Sequence, residues 1–112
     1  MPDGIPAAGA REALHWLLQR RCRFVVRGRS MLPTLAEGAT VLVEPGATPA
    51  PGDVVVARHP YVRGLTLIKR VSAVLADGRT ELHGDNPAES SHAFGAIRPQ
   101  DVLGVVRSSL AS

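Results

Sequence analysis

Leu65-Thr66-Leu67-Ile68-Lys69-Arg70-Val71-Ser72-Ala73-Val74-Leu75, then Ala76-Asp77-Gly78-Arg79, then Thr80-Glu81-Leu82-His83, is the stretch that decides the fold. Its aliphatic and β-branched residues favour a pleated strand, and Asp77-Gly78 suits the positive backbone angles of a tight hairpin turn. Two antiparallel strands are therefore expected, over 65–75 and 80–83. Working outward, short apolar runs recur at 24–26, 40–43, 54–57 and 102–106, bounded by turn signals such as Glu44-Pro45-Gly46 and Pro51-Gly52-Asp53. Six short strands beside a single helix predict a mainly β fold, an antiparallel barrel or sandwich. The helix is expected over 10–19, where Ala10, Ala13, Leu14, Trp16, Leu17 and Leu18 recur at helical spacing behind a Pro/Gly/Ala-rich arm. The chain thus divides into an arm and helix over 1–20 and a β domain over 21–112.

With 112 residues, 45% apolar and 21% charged, the composition fits one folded domain and disfavours a disordered or fibrous chain. Aromatic residues make up only 4%, too few stacking platforms for a single-strand nucleic-acid reader. The net charge of +3 owes much to Arg20, Arg21, Arg23, Arg27 and Arg29. Such a run is commonly a solvated face, and the competing reading is a non-catalytic module that binds nucleic acid or a membrane surface. No stretch approaches the roughly 18–20 apolar residues of a membrane span, and 13–18 is too short for a signal peptide, so a cytoplasmic location is expected. Cys22 is the single cysteine, which suits a reducing compartment.

Chemistry is suggested first at Gly28-Arg29-Ser30-Met31-Leu32-Pro33-Thr34-Leu35. A strand ends at a glycine that would admit a second backbone, a serine follows at the turn, and Pro33 presets the next segment. Serine in that position is exposed, with its own N–H available to an oxyanion, although turn serines commonly serve only as caps. Lys69 supplies the complement. Strict alternation puts Leu65, Leu67, Lys69, Val71, Ala73 and Leu75 on one face, where Lys69 is the only ion. Burial there would favour the neutral amine that a general base needs. Two alternatives stay open, a lysine head that reaches out to water and a strand turned so that Arg70 faces the core. His59, His83, Asp85 and His92 fit no compact ligand spacing, so neither a metal nor any other cofactor is expected.

These residues carry a resemblance. Ser30-Met31-Leu32-Pro33-Thr34-Leu35, Gly52-Asp53-Val54-Val55-Val56, Ile68-Lys69-Arg70-Val71 and Gly84-Asp85-Asn86 resemble, in order, the four boxes of the type I signal peptidases. The absence of spanning helices and of a long insertion makes the chain similar to the short branch that matures nickel-type superoxide dismutase. The resemblance implies a signal peptidase/LexA-like β fold and a serine endopeptidase with a Ser/Lys dyad. Ser30 would be the nucleophile and Lys69 the base, with Ser90 hydrogen-bonded to the lysine amine. It implies an oxyanion hole built on backbone N–H groups, that of Ser30 among them, because Gly28 stands where some members carry a serine. Met31 and Leu32 would hold an extended substrate, and the partner would be a propeptide-bearing precursor of nickel superoxide dismutase. A LexA-type self-cleaving domain shares the dyad and the fold and is the rival within proteolysis.

Overall fold

In the computed structural model residues 21–89 and 95–110 are described. The expected arm and helix over 1–20, and Ser90 and His92 of the polar loop, lie outside them. Six strands form: β1 (Cys22–Val25), β2 (Thr40–Pro45), β3 (Val54–Arg58), β4 (Thr66–Val74), β5 (Thr80–His83) and β6 (Val102–Ser109). All pairings are antiparallel, in the order β1-β2-β6-β3-β4-β5, so the fold is mainly β and built on one sheet. The hairpin forms as read. Gly78 takes a φ of +89°, and the Leu75 N–H donates to the Arg79 carbonyl at 2.8 Å.

Valine and isoleucine pack both faces of the sheet's centre. The larger cluster joins Val41, Val43, Val54, Val56, Ile68 and Val106 with Val26, Met31 and Leu35 from the β1–β2 connection. The smaller joins Val55, Val71 and Val105. Each such residue, fully buried, contributes roughly 1.5–3 kcal/mol. Because β3 sends Val54 and Val56 one way and Val55 the other, neither face is left to water. This corrects the expectation for β4. Its buried residues, Ile68 and Val71, come from opposite sets of the alternation, and the β4–β5 register shifts between Val71 and Ala73. Lys69 is therefore not the lone ion of a lone apolar face; it belongs to a strand packed on both sides.

Register also shifts between Leu42 and Val43 and between Val56 and Ala57. Such bulges bend strands and deepen their twist. The consequence is that β1 and the first half of β4 line one cleft, although three strands lie between them in the sheet order. In a flat sheet they would stand roughly 19 Å apart. Bending the sheet is what makes a site.

Candidate active site

Ser30 owes its position to the turn that follows β1. The Val26 N–H donates to the Ala39 carbonyl and the Gly38 N–H to the Val26 carbonyl, both at 2.8 Å, closing the base of the loop. Within it the Leu32 N–H reaches the Arg29 carbonyl at 3.2 Å and the Leu35 N–H the Met31 carbonyl at 2.9 Å. Met31 and Leu35 are buried in the larger core cluster, so the turn is fastened from below while Ser30 stays half-buried at the rim. Met31, expected among the substrate-holding residues, has a fully buried side chain and leaves only its backbone for that role. Leu32 is half-buried. Gly28 was expected to admit a close approach, but a Cβ there would meet nothing; its φ of +80° is what the turn uses.

The close approach occurs at another glycine. A Cβ on Gly84 would stand 2.5 Å from the Ser30 carbonyl oxygen, so only glycine lets the 84–86 loop lie against the serine turn. There the Asn86 N–H donates to the Ser30 carbonyl at 2.9 Å, and Asn86 Nδ2 donates to the Arg29 carbonyl at 2.8 Å. Asp85 continues the tie. Its Oδ2 accepts from Thr34 Oγ1 and from Arg70 Nη2, both at 2.6 Å, and its Oδ1 from Arg70 Nε at 3.1 Å. Arg70 Nη1 also donates to the Gly52 carbonyl at 2.8 Å, and the Val71 N–H to the Asp53 carbonyl at 2.7 Å. Four motifs distant in sequence thus meet at one place. The Arg70 and Asp85 side chains are only 12% and 14% exposed, and Arg70 holds the Asp85 carboxyl below the usual carboxylate range against the opposing effect of burial.

Lys69, next to Arg70, lines the cleft together with Ser30. Its walls are Arg23, Phe24, Val25 and Arg27 on one side and residues 64–69 on the other, around a volume of about 490 Å³. Lys69 is half-buried, and desolvation lowers its pKa from 10.5 while the exposed Glu89 pulls it back upward. Among the described residues neither Ser30 Oγ nor Lys69 Nζ has a hydrogen-bond partner, nor does the Ser30 N–H. A partly desolvated lysine that lines the same cleft as a turn serine can serve proton transfer once substrate brings the two together. The β4 wall also offers a strand edge. β5 pairs with β4 only from Arg70 onward, leaving one edge of 66–69 outside the described pairings. An extended peptide can pair with such an edge.

The histidines are placed otherwise. His59 Nδ1 accepts the Tyr61 and Val62 N–H groups, each at 3.0 Å, and Asp85 is committed to Arg70 and Thr34. Among the described residues no three His, Cys, Asp or Glu side chains gather as a metal site. Cys22 opens β1 and is exposed. Sequence reasoning missed Thr34, Arg70, Asp85 and Asn86 as positioning residues, although the pairing of one cation and one carboxylate between two adjoining motifs was a usable signal. Of the arginine run, Arg23, Arg27 and Arg29 are exposed, the first two at the rim of the cleft, whereas the Arg21 side chain is buried near Glu44. No helix among the described residues is long and apolar enough to cross a membrane.

Compared with models of known families, residues 15–107 match the one described as Peptidase S24-like. No curated protein matches the chain.

Proposed function

Since the chain belongs to the Peptidase S24-like family across residues 15–107, we propose that it is a serine endopeptidase of the Ser/Lys type, with Ser30 as nucleophile and Lys69 as general base. The observation that carries this reading is the shared cleft, in which a half-buried, partly desolvated lysine lines the same space as a turn serine fixed from below. Ser30 Oγ attacks the scissile carbonyl carbon as its proton passes to the neutral Lys69 amine. The Ser30 N–H donates to the oxyanion that forms. Collapse breaks the C–N bond, and the Lys69 ammonium gives its proton to the leaving amine. Water then attacks the ester, losing a proton to Lys69, and release of the acid returns that proton to Ser30 Oγ. The substrate lies extended in the cleft between β1 and the first half of β4, touching the Met31 backbone and Leu32. Ser90 is the further hydroxyl that the resemblance assigns to the lysine.

The client, by the resemblance to the short signal-peptidase-like branch, is a cytoplasmic precursor from which an N-terminal propeptide is removed, that of a nickel superoxide dismutase. Co-expression with such a precursor, followed by mass analysis of its N-terminus, is expected to show a trimmed product that Ser30→Ala no longer makes. An intact precursor beside folded enzyme would overturn the assignment. The family match also favours a second reading, cleavage of the chain's own peptide bond. Dilution separates the two: processing in trans slows in proportion to enzyme concentration, whereas self-cleavage proceeds at a constant first-order rate.

A further inference from the structure

The polar groups around the Ser30 Cα are the Arg29 carbonyl before it, its own N–H, its own carbonyl and its hydroxyl. Both carbonyls are held from outside the serine turn, and by the same residue. The Asn86 N–H donates to the Ser30 carbonyl at 2.9 Å, and Asn86 Nδ2 donates to the Arg29 carbonyl at 2.8 Å. The Ser30 N–H and Oγ have no hydrogen-bond partner among the described residues, and they are the pair that attack on a carbonyl uses. Asn86 is itself fixed. Its Oδ1 accepts the Ala88 N–H at 2.9 Å and its carbonyl the Glu89 N–H at 3.2 Å, which closes the turn over 86–89 and leaves Nδ2 for Arg29.

What the side-chain amide controls follows from the peptide bond. The Arg29 carbonyl and the Ser30 N–H belong to one planar trans unit, so they point in opposite directions and cannot turn independently. A donor held on the carbonyl therefore directs the N–H to the far side of the plane, away from the 84–86 loop. It also draws electron density toward the carbonyl oxygen, which makes the N–H a better donor. The Leu32 N–H reaches the same carbonyl at 3.2 Å, but it belongs to the serine turn and moves with it. Asn86 is the tie that comes from another part of the chain.

We propose that Asn86 is a positioning residue for the oxyanion hole, its side-chain amide holding the Arg29–Ser30 peptide so that the Ser30 N–H meets the oxyanion of the tetrahedral intermediate. This deepens the peptidase reading and rests on it for its catalytic consequence, while the hold on the peptide is measurable without turnover. As Ser30 Oγ bonds to the scissile carbon, the carbonyl π pair moves onto oxygen and the hydroxyl proton passes to Lys69. The negative charge arises only at that point. Loss of the amide therefore lowers kcat and kcat/KM together and leaves KM nearly unchanged.

The test compares Asn86→Ala and Asn86→Asp with wild type. Both keep the main-chain bond from residue 86 to the Ser30 carbonyl. Asn86→Ala removes the side-chain donor and acceptor together, whereas Asn86→Asp removes the donor and keeps an acceptor for the Ala88 N–H. A role confined to closing the turn over 86–89 predicts that Asn86→Asp is the faster of the two. The donor role predicts that both lose about 10- to 100-fold in kcat, Asn86→Asp at least as much as Asn86→Ala. Rates are read on an end-blocked peptide spanning the propeptide junction of the precursor named above, at a pH where each rate has levelled off so that the charge of Lys69 does not enter. Melting curves establish that both variants are folded at the assay temperature. NMR of labelled protein reads the peptide itself, because an amide nitrogen responds to a hydrogen bond on the carbonyl that precedes it, and the Ser30 resonance is expected to move in both variants. An unmoved Ser30 resonance beside normal cutting sinks this proposal alone. A loss confined to KM, a kcat within about twofold of wild type, or Asn86→Asp restoring what Asn86→Ala loses overturns it as well. A wild-type protein that leaves the peptide whole while the Ser30 resonance moves sinks the peptidase reading, and the oxyanion role with it, but leaves the hold of Asn86 on the peptide in place.

Discussion

Lys69 and Arg70 are neighbours on β4, both cations and both half-buried, yet the molecule treats them in opposite ways. Arg70 holds Asp85 through two nitrogens and the Gly52 carbonyl through a third. Lys69 has no hydrogen-bond partner among the described residues, and the charge of Glu89 raises its pKa against the larger, lowering effect of desolvation. The difference follows from strand alternation, which sends adjacent side chains to opposite sides. One side offers a carboxylate and turns its cation into a structural tie; the other partly desolvates its cation and lowers its pKa. Residue type fits each task, because a guanidinium keeps its proton at any working pH while an ammonium does not.

The comparison breaks most visibly through Lys69→Arg. Charge and bulk are nearly kept, but a base is lost, so kcat/KM for a cleavable peptide should fall by about 10⁴-fold or more, as in Ser30→Ala. Activity within tenfold of wild type in Lys69→Arg would mean that the two sides of β4 do not differ in the way argued. On the Arg70 side the loss should be one of stability. Asp85→Ala leaves Arg70 buried without its partner, at a cost of about 3 kcal/mol in urea unfolding. Thr34→Val, which removes one hydrogen bond to the same carboxylate, should cost only about 1 kcal/mol. Combining Arg70→Ala with Asp85→Ala should cost less than the sum of the two, because the variants remove one shared interaction. Strict additivity would show that the tie is not one unit.

Gly84→Ala sharpens the link between the two sides. Its methyl would stand 2.5 Å from the Ser30 carbonyl, so the serine turn must move. A displacement near 1 Å should lower kcat by about 100-fold. The measurement is kcat beside a melting curve, and a variant of full activity would show that the 84–86 loop does not set the position of Ser30.

Much of the frame was legible because it depends on local rules. Alternating valines with Gly, Pro and Asp stops located six strands, and Asp77-Gly78 located the hairpin, since strand propensity and turn chemistry are read within a few residues. What failed is long-range. The alternation on β4 could not reveal that the sheet is packed on both faces, because Val55, Val71 and Val105 meet only once β3, β4 and β6 are side by side. Gly28 and Gly84 look alike in sequence, and which of them meets another backbone depends on a contact 54 residues away, the separation of Ser30 and Gly84. Ser30 and Lys69 were nameable from their motifs. Arg23 and Arg27 were not tied to them, because bends at three bulges bring β1 across to β4.

Acid should weaken the Arg70 side first. Arg70 holds the Asp85 carboxyl below 3.8, so in that window the unfolded chain binds more protons than the folded one. The stabilisation is complete above 3.8 and is lost as pH falls through the lowered value. Asp85→Asn, which cannot ionise, should show less loss of stability over that interval than wild type. Parallel curves would mean that acid unfolding begins at other carboxylates.

On the Lys69 side the pH dependence has the same sign but falls in the alkaline range, and its size is smaller. Its folded pKa lies below 10.5, so between the two values the unfolded chain again binds more protons, and stability rises with pH across that window. Below the folded value the whole penalty of holding an ammonium away from water is present; above 10.5 it has gone. Lys69→Met, similar in length and uncharged, removes that penalty along with the base. The variant should be inactive yet melt slightly higher than wild type near neutral pH, by no more than about 1 kcal/mol because the half-exposed head is still partly solvated. The gain should shrink as pH approaches 10.5, which distinguishes relief of desolvation from better packing. Melting curves of both proteins across a pH series read it directly. A gain that does not change with pH would assign the effect to the methionine side chain, and a loss at neutral pH would show that the Lys69 ammonium is content where it is and that the two sides of β4 are more alike than their partners suggest.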